Sequence, residues 1–153
     1  MKEKRIYLAG PLFSEAERAW ARDIKRKIEE AAKNKNAEVK VIWPYELTPE
    51  KRIKKLKSKA KLEIFKKCAS HLKDSDILVA VLDGTQVDDG TAWEIGYFYK
   101  NKKPKSKIYG IRTDFRKAGE TRYSKVNSMI EVSCDEIVDT PRKLIERIKK
   151  LLY

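Results

Sequence analysis

The chain has 153 residues, of which 36 are Lys or Arg and 23 are Asp or Glu, giving a formal net charge of +13. That length suits one domain around one core, and no apolar run approaches the roughly 18 residues of a membrane span, so a soluble, cytoplasmic protein is expected. Two cysteines, Cys68 and Cys134, and one histidine, His71, show no zinc spacing, so no metal or cofactor is expected and a disulfide is disfavoured.

Taken in order, Ile6-Tyr7-Leu8-Ala9 reads as a short strand that Gly10-Pro11 breaks. Ser14 then opens a helix, with Glu17 completing a capping box and Trp20, Ile24 and Ile28 on its buried stripe. Residues 39–43 form a second strand stopped by Pro44, and Thr48-Pro49 marks the start of a long helix. Ile53, Leu56, Ala60, Ile64, Cys68 and Leu72 recur along it at three- and four-residue steps, which puts Cys68 on its inner face.

Residues 76–82 are a strand apolar enough to be buried on both faces, and residues 91–101 form the third helix. A fourth strand spans 107–112, a charged loop 115–123 and a short helix about 125–132. Ile137-Val138 is a terse fifth strand, and Thr140-Pro141 begins a last helix through Leu151. Five strands alternating with helices imply a single α/β domain over 1–153, with a doubly wound five-stranded parallel sheet of flavodoxin-like layout.

Lysines concentrate in residues 51–67, 100–107 and 142–150, and two of these clusters fall on polar faces of predicted helices. Abundant Lys and Glu, with Gln86 as the one glutamine, is a composition of heat-adapted proteins. The charge is read first as solvated surface, with steering of an anionic small molecule and a nucleic-acid surface as the alternatives, and electrostatics alone does not decide among them.

Chemistry is expected where the third strand meets the third helix, in residues 83–97. Asp83, Asp88, Asp89 and Glu94 crowd that crossing, outside the carboxyl ends of the strands, where open parallel sheets place ligands. The first strand ends in Ala9-Gly10-Pro11 rather than the acids a receiver domain needs, and neither GxGxxG nor GxxxxGK occurs. Glu94 near the start of a helix would gain anionic stability from the helix dipole and could attack an electron-poor carbon such as the anomeric carbon of a sugar. The spacing Thr91-x-x-Glu94 is also that of a capping box, which would spend the carboxylate on its own backbone; Asp88 and Asp89 have similar readings as turn and cap residues.

The block Gln86-Val87-Asp88-Asp89-Gly90-Thr91-Ala92-Trp93-Glu94-Ile95-Gly96-Tyr97 closely resembles the nucleoside 2-deoxyribosyltransferase family. So do residues 6–14 at the start and Asn127-Ser128-Met129 late in the chain, and the likeness runs through nearly the whole sequence in order and spacing. The resemblance implies base exchange on a 2′-deoxynucleoside by double displacement, with Glu94 as nucleophile, Tyr7 orienting it and Asp88 receiving the sugar 5′-hydroxyl. Gly10 and Phe13 match positions lining the substrate pocket. Asn127 and Met129 match residues that a neighbouring subunit supplies, which implies a homo-oligomer with a free nucleobase and a deoxynucleoside as its small-molecule partners.

One position departs from the family. Where many relatives carry an aspartate that handles the proton of the departing base, this chain has Cys68, and an un-ionised thiol is a poor general acid. Base protonation, base preference or activity is then altered; His71, one turn later, is a further group within possible reach. A hydrolase of 2′-deoxynucleoside 5′-monophosphates and a non-catalytic nucleotide- or ADP-ribose-sensing module are competing readings. The first lacks its glycine- and arginine-rich phosphate loop here, while Cys68 favours the second.

Overall fold

In the computed structural model, which describes residues 3–152, side-chain alternation along the first strand, β1 (Lys4–Ala9), decides the layout. Ile6 and Leu8 point to one face of the sheet, where α1 (Glu15–Lys33) and α7 (Pro141–Lys149) pack. Tyr7 and Ala9 point to the other, beneath α4 (Ala60–Asp74) and α5 (Asp89–Asn101). β2 (Val39–Ile42), β3 (Ile77–Val81), β4 (Lys107–Ile111) and β5 (Glu136–Val138) complete an all-parallel sheet of order β2-β1-β3-β4-β5. This is the flavodoxin-like order expected from the alternation of elements, and it reverses direction between β1 and β3.

Both faces of β3 are closed off. Val79 and Val81 belong to the first core, and Leu78, Ala80 and Leu82 to the second, with Ile95 and Phe98 of α5 above them. Each such large apolar side chain contributes roughly 1.5–3 kcal/mol by leaving water. β1 and β3 pair in register from Ile6 with Ile77 to Ala9 with Ala80. Just past that ladder Gly10 runs so close to β3 that a Cβ would sit 2.9 Å from the Cβ of Val81.

The caps at Ser14 and Thr140 form as their sequences predict. Ser14 Oγ accepts from the Glu17 amide at 3.1 Å, and Glu17 accepts from the Ser14 amide at 2.7 Å. Thr140 Oγ1 accepts from the amide of Lys143, with Pro141 at the first helical position.

The long helix predicted from Thr48 onward is instead three pieces. A four-residue α2 (Pro44–Leu47) precedes it, then α3 (Glu50–Leu56), a 3₁₀ turn (Lys57–Lys59) and α4. Thr48 follows α2 and is not the N-cap of α3, which is Pro49; its hydroxyl is buried without a partner. The break lies at Lys57, whose φ of 50° is a left-handed conformation no glycine or asparagine announces. The apolar periodicity runs straight across it, because Ile53 turns away from the sheet to line a surface hollow while Leu72 enters the core.

The helix expected over 125–132 is confined to α6 (Ser128–Ser133), capped by Asn127. No helix among the described residues is long and apolar enough to cross a membrane.

Candidate active site

Beyond β3 the chain enters a loop that is tied to the one after β4. The Asp83 carboxylate accepts from the Thr113 amide at 2.6 Å, the Thr113 hydroxyl at 2.9 Å and the Asp114 amide at 2.9 Å. In return Asp114 accepts from the amide of Gly84 at 3.2 Å, where φ is +116° and only glycine is unstrained. Arg112, 5% exposed, lies between the loops and donates to the carbonyls of Leu82, of Gly84 at 3.1 Å and of Arg116 at 2.7 Å. Sequence reading missed this clasp. Its one signal was a charged residue closing the otherwise apolar fourth strand.

The clasped loop delivers Asp88 as the cap of α5. One carboxylate oxygen accepts from the Thr91 amide and the Thr91 hydroxyl, both at 2.9 Å. The helix therefore begins at Asp89, two residues earlier than predicted, and Thr91 is not its cap. This shift decides the fate of Glu94. The Thr91-x-x-Glu94 box does not form, and Glu94, sixth residue of α5, lies in the second turn, beyond the free amides of the helix end.

Glu94 is half-buried and faces the sheet. Burial pushes its carboxyl up to about 7; Tyr7 pulls it down and the Asp88 charge raises it further. The helix dipole expected to favour the anion is thus outweighed by desolvation. Tyr7 is wholly buried, and burial followed by the Glu94 charge holds its phenol neutral far above its ordinary range. The phenol acts on Glu94 and Cys68, yet it lies outside hydrogen-bonding geometry with both and has no protein partner. Cys68, half-buried on α4, has its thiol raised by burial; Tyr7 lowers it and Glu94 raises it. It is neutral at working pH.

A cleft of about 300 Å³ opens on Cys68 and Glu94, with Pro44, Phe65, Leu72 and Trp93 also in its lining and the buried Tyr7 behind them. Trp93 stacks on Tyr97 at 5.2 Å and meets the edge of Phe65 at 5.6 Å, so one wall is an aromatic surface. A half-buried carboxylate beside an unpartnered phenol in such a cleft can serve as a nucleophile or a base toward an apolar-bodied ligand.

The raised carboxyl also sets a stability dependence. Between the unfolded value of about 4.5 and the folded value of about 7, the folded state holds a proton that the unfolded state has lost, so stability falls as pH rises through that window. Glu94→Gln removes the decline. Its stability advantage over the parent is expected to grow by about 1–2 kcal/mol between pH 4.5 and pH 8, allowing for partial solvent screening, in urea titrations at each pH. A gap that stays constant with pH contradicts the buried-carboxyl assignment.

Of the residues singled out in the sequence, Tyr7, Cys68 and Glu94 meet in one place, with Asp88 at its edge. Gly10 marks a close approach of two strands. Phe13 is 71% exposed in the turn after β1, outside the cleft lining. Asn127 accepts from the Met129 amide at 2.9 Å and donates to Glu120 at 2.6 Å, and Met129 is 79% exposed; neither lines the cleft of its own chain. His71 is directed to the opposite end of the sheet, where its Nδ1 accepts from Arg5 at 2.9 Å, so it does not reach the site. Asp89 is exposed and bonds its neighbour's amide.

A family model described as nucleoside 2-deoxyribosyltransferase matches residues 6–129. An uncharacterised protein of Ureaplasma parvum serovar 3 is 33% identical over 120 residues, covering 75% of this chain and 73% of that protein. Among solved structures, the 2-deoxyribosyltransferase of Bacillus psychrosaccharolyticus superposes with a TM-score of 0.71 at 22% identity, covering 92% of this chain and 90% of that one. The 2-desoxiribosyltransferase of Leishmania mexicana gives 0.65 at 20%, covering 96% and 97%. A conserved protein of Enterococcus faecalis V583 gives 0.66 at 24%, covering 99% and 100%. At these identities the structures share a fold with the chain, while the matched sequence block carries the relationship itself: the chain belongs to the nucleoside 2-deoxyribosyltransferase family.

Proposed function

We propose that the chain exchanges the base of a 2′-deoxynucleoside through a covalent deoxyribosyl ester on Glu94. The observation that carries this is the disposition of that carboxylate. Asp88 has taken over the helix cap, so Glu94 is spent on no backbone amide and faces the cleft beside Tyr7.

In the first displacement a Glu94 oxygen bonds to C1′ as the bond from C1′ to the base nitrogen breaks, and the base leaves with that electron pair and takes up a proton. In the second, a nitrogen of an incoming base bonds to C1′, the ester bond breaks to regenerate the carboxylate, and the acceptor nitrogen loses its proton. Two inversions retain the β configuration. A missing 2′-hydroxyl lowers the cost of the oxocarbenium-like transition state. The Tyr7 phenol donates to the attacking carboxylate and holds one oxygen toward C1′; its lack of any other partner keeps it available. Asp88 retains one carboxylate oxygen outside the cap for the 5′-hydroxyl.

Apolar walls around Glu94 keep water from the ester and favour a base as acceptor. Exposed Met129 and Asn127 complete the site of a neighbouring copy, which makes the working unit a homo-oligomer.

Incubation with a deoxynucleoside and a different free base is expected to give the exchanged nucleoside. Because only the ionised carboxyl attacks, kcat/KM is expected to rise about tenfold per pH unit up to about 7 and then level off. Free deoxyribose accumulating at a rate indifferent to added base would mark a hydrolase instead.

A further inference from the structure

A sugar seated at Glu94 must send its base into whatever space adjoins the cleft. One neighbouring space is a hollow of about 730 Å³ that shares Pro44 with the cleft. Helix α4 walls both, with Ile64 on the hollow and Phe65 and Cys68 on the cleft. Its polar groups are unequally committed. The two carboxylates in its lining are paired, Glu46 with Lys25 at 2.6 Å and Glu50 with Lys54 at 2.6 Å.

Arg18 is not. Its Nη1 donates to the carbonyls of Leu12 at 3.1 Å and Phe13 at 2.8 Å, and its guanidinium carbon lies 5.7 Å from the centre of the Tyr45 ring. The nearby Glu17 carboxylate is occupied by the Phe13 and Ser14 amides at 2.9 and 2.7 Å. Nε and Nη2 have no acceptor among the described residues. A guanidinium donates and never accepts, so Arg18 itself offers a ligand in this hollow two uncommitted donor nitrogens and no acceptor. On the same wall Thr48, 6% exposed, carries a buried hydroxyl with no partner.

We propose that this hollow holds the nucleobase and that Arg18 makes it selective for bases with an acceptor edge, preferring 6-oxopurines to 6-aminopurines. Two neighbouring acceptors, a ring nitrogen and an exocyclic oxygen, match two donors of one guanidinium, whereas an exocyclic amino group presents hydrogens to hydrogens. The hollow can be the base subsite only if the Glu94 cleft takes the sugar, as proposed above.

Equilibrium dialysis with free hypoxanthine and free adenine, two purines of like size, reads the preference without turnover. The parent protein and Glu94→Gln are both expected to bind hypoxanthine at least about tenfold more tightly than adenine. In Arg18→Met the ratio is expected to fall to within about twofold. Arg18→Lys, which can still donate to the Leu12 and Phe13 carbonyls but offers no second nitrogen, separates the turn from the recognition and is expected to lose discrimination as well. Equal affinities in the parent, discrimination surviving in both Arg18 variants, or no base binding at all overturns the assignment. A protein that discriminates but does not exchange bases refutes the transfer reading alone; one that exchanges without discriminating refutes the Arg18 assignment alone.

Discussion

Glu94→Ala is expected to reduce base exchange by about a thousandfold or more while leaving the far-ultraviolet circular dichroism spectrum unchanged. A covalent route loses its attacking atom with that side chain, and what survives is positioning of the substrate. The fold does not depend on it, because the α5 cap is supplied by Asp88 through Thr91. Removing a half-buried carboxyl that is held up to about 7 also relieves a desolvation cost above that pH, so the variant should not melt earlier than the parent at pH 8. The combination of lost activity and kept stability separates a nucleophile from a structural residue. Exchange within about tenfold of the parent would mean that some other group attacks C1′.

The second large effect is on stability. Arg112→Met is expected to cost about 3 kcal/mol, because it strips donors from the Leu82, Gly84 and Arg116 carbonyls in a place with little access to water. For a domain of this size that corresponds to a melting temperature lower by roughly 6–12 °C, readable by calorimetry. The Asp83 bonds to Thr113 and Asp114 persist in the variant, so the loops should loosen rather than separate. Loosening displaces Asp88 and with it the start of α5, so exchange should weaken through KM as well. A melting temperature within 2 °C of the parent would show that water replaces the guanidinium.

The sheet was legible in the sequence because its strands are short apolar runs ended by Gly, Pro or charge, and helices separate them. Alternation along β1 likewise carries the information that Tyr7 and Ala9 share a face, and α5 follows β3 on that face. What sequence reasoning misjudged has local causes. The break at Lys57 lacks the residue that usually marks a left-handed backbone, and the hydrophobic period crosses it unbroken.

The start of α5 turned on a competition between two cap residues three positions apart. Asp88 wins because its carboxylate bonds both the amide and the hydroxyl of Thr91, and pattern alone cannot rank that against a Thr-Glu box. His71 lies one turn beyond Cys68, but α4 runs back toward the amino ends of the strands, so that turn carries it away from Glu94 to Arg5. The Arg112 clasp and the uncommitted Arg18 depend on which carbonyls the fold brings near, information spread over distant segments.

The central claim is an ester between Glu94 and C1′. It is tested most directly by incubating the protein with a deoxynucleoside and no added acceptor base, quenching in acid, digesting, and weighing the peptides. The peptide containing Glu94 is expected to carry the mass of one deoxyribosyl group, and to lose it when acceptor base is supplied before the quench. Rapid exchange with that peptide unmodified, or with the sugar found on a different residue, would contradict the account.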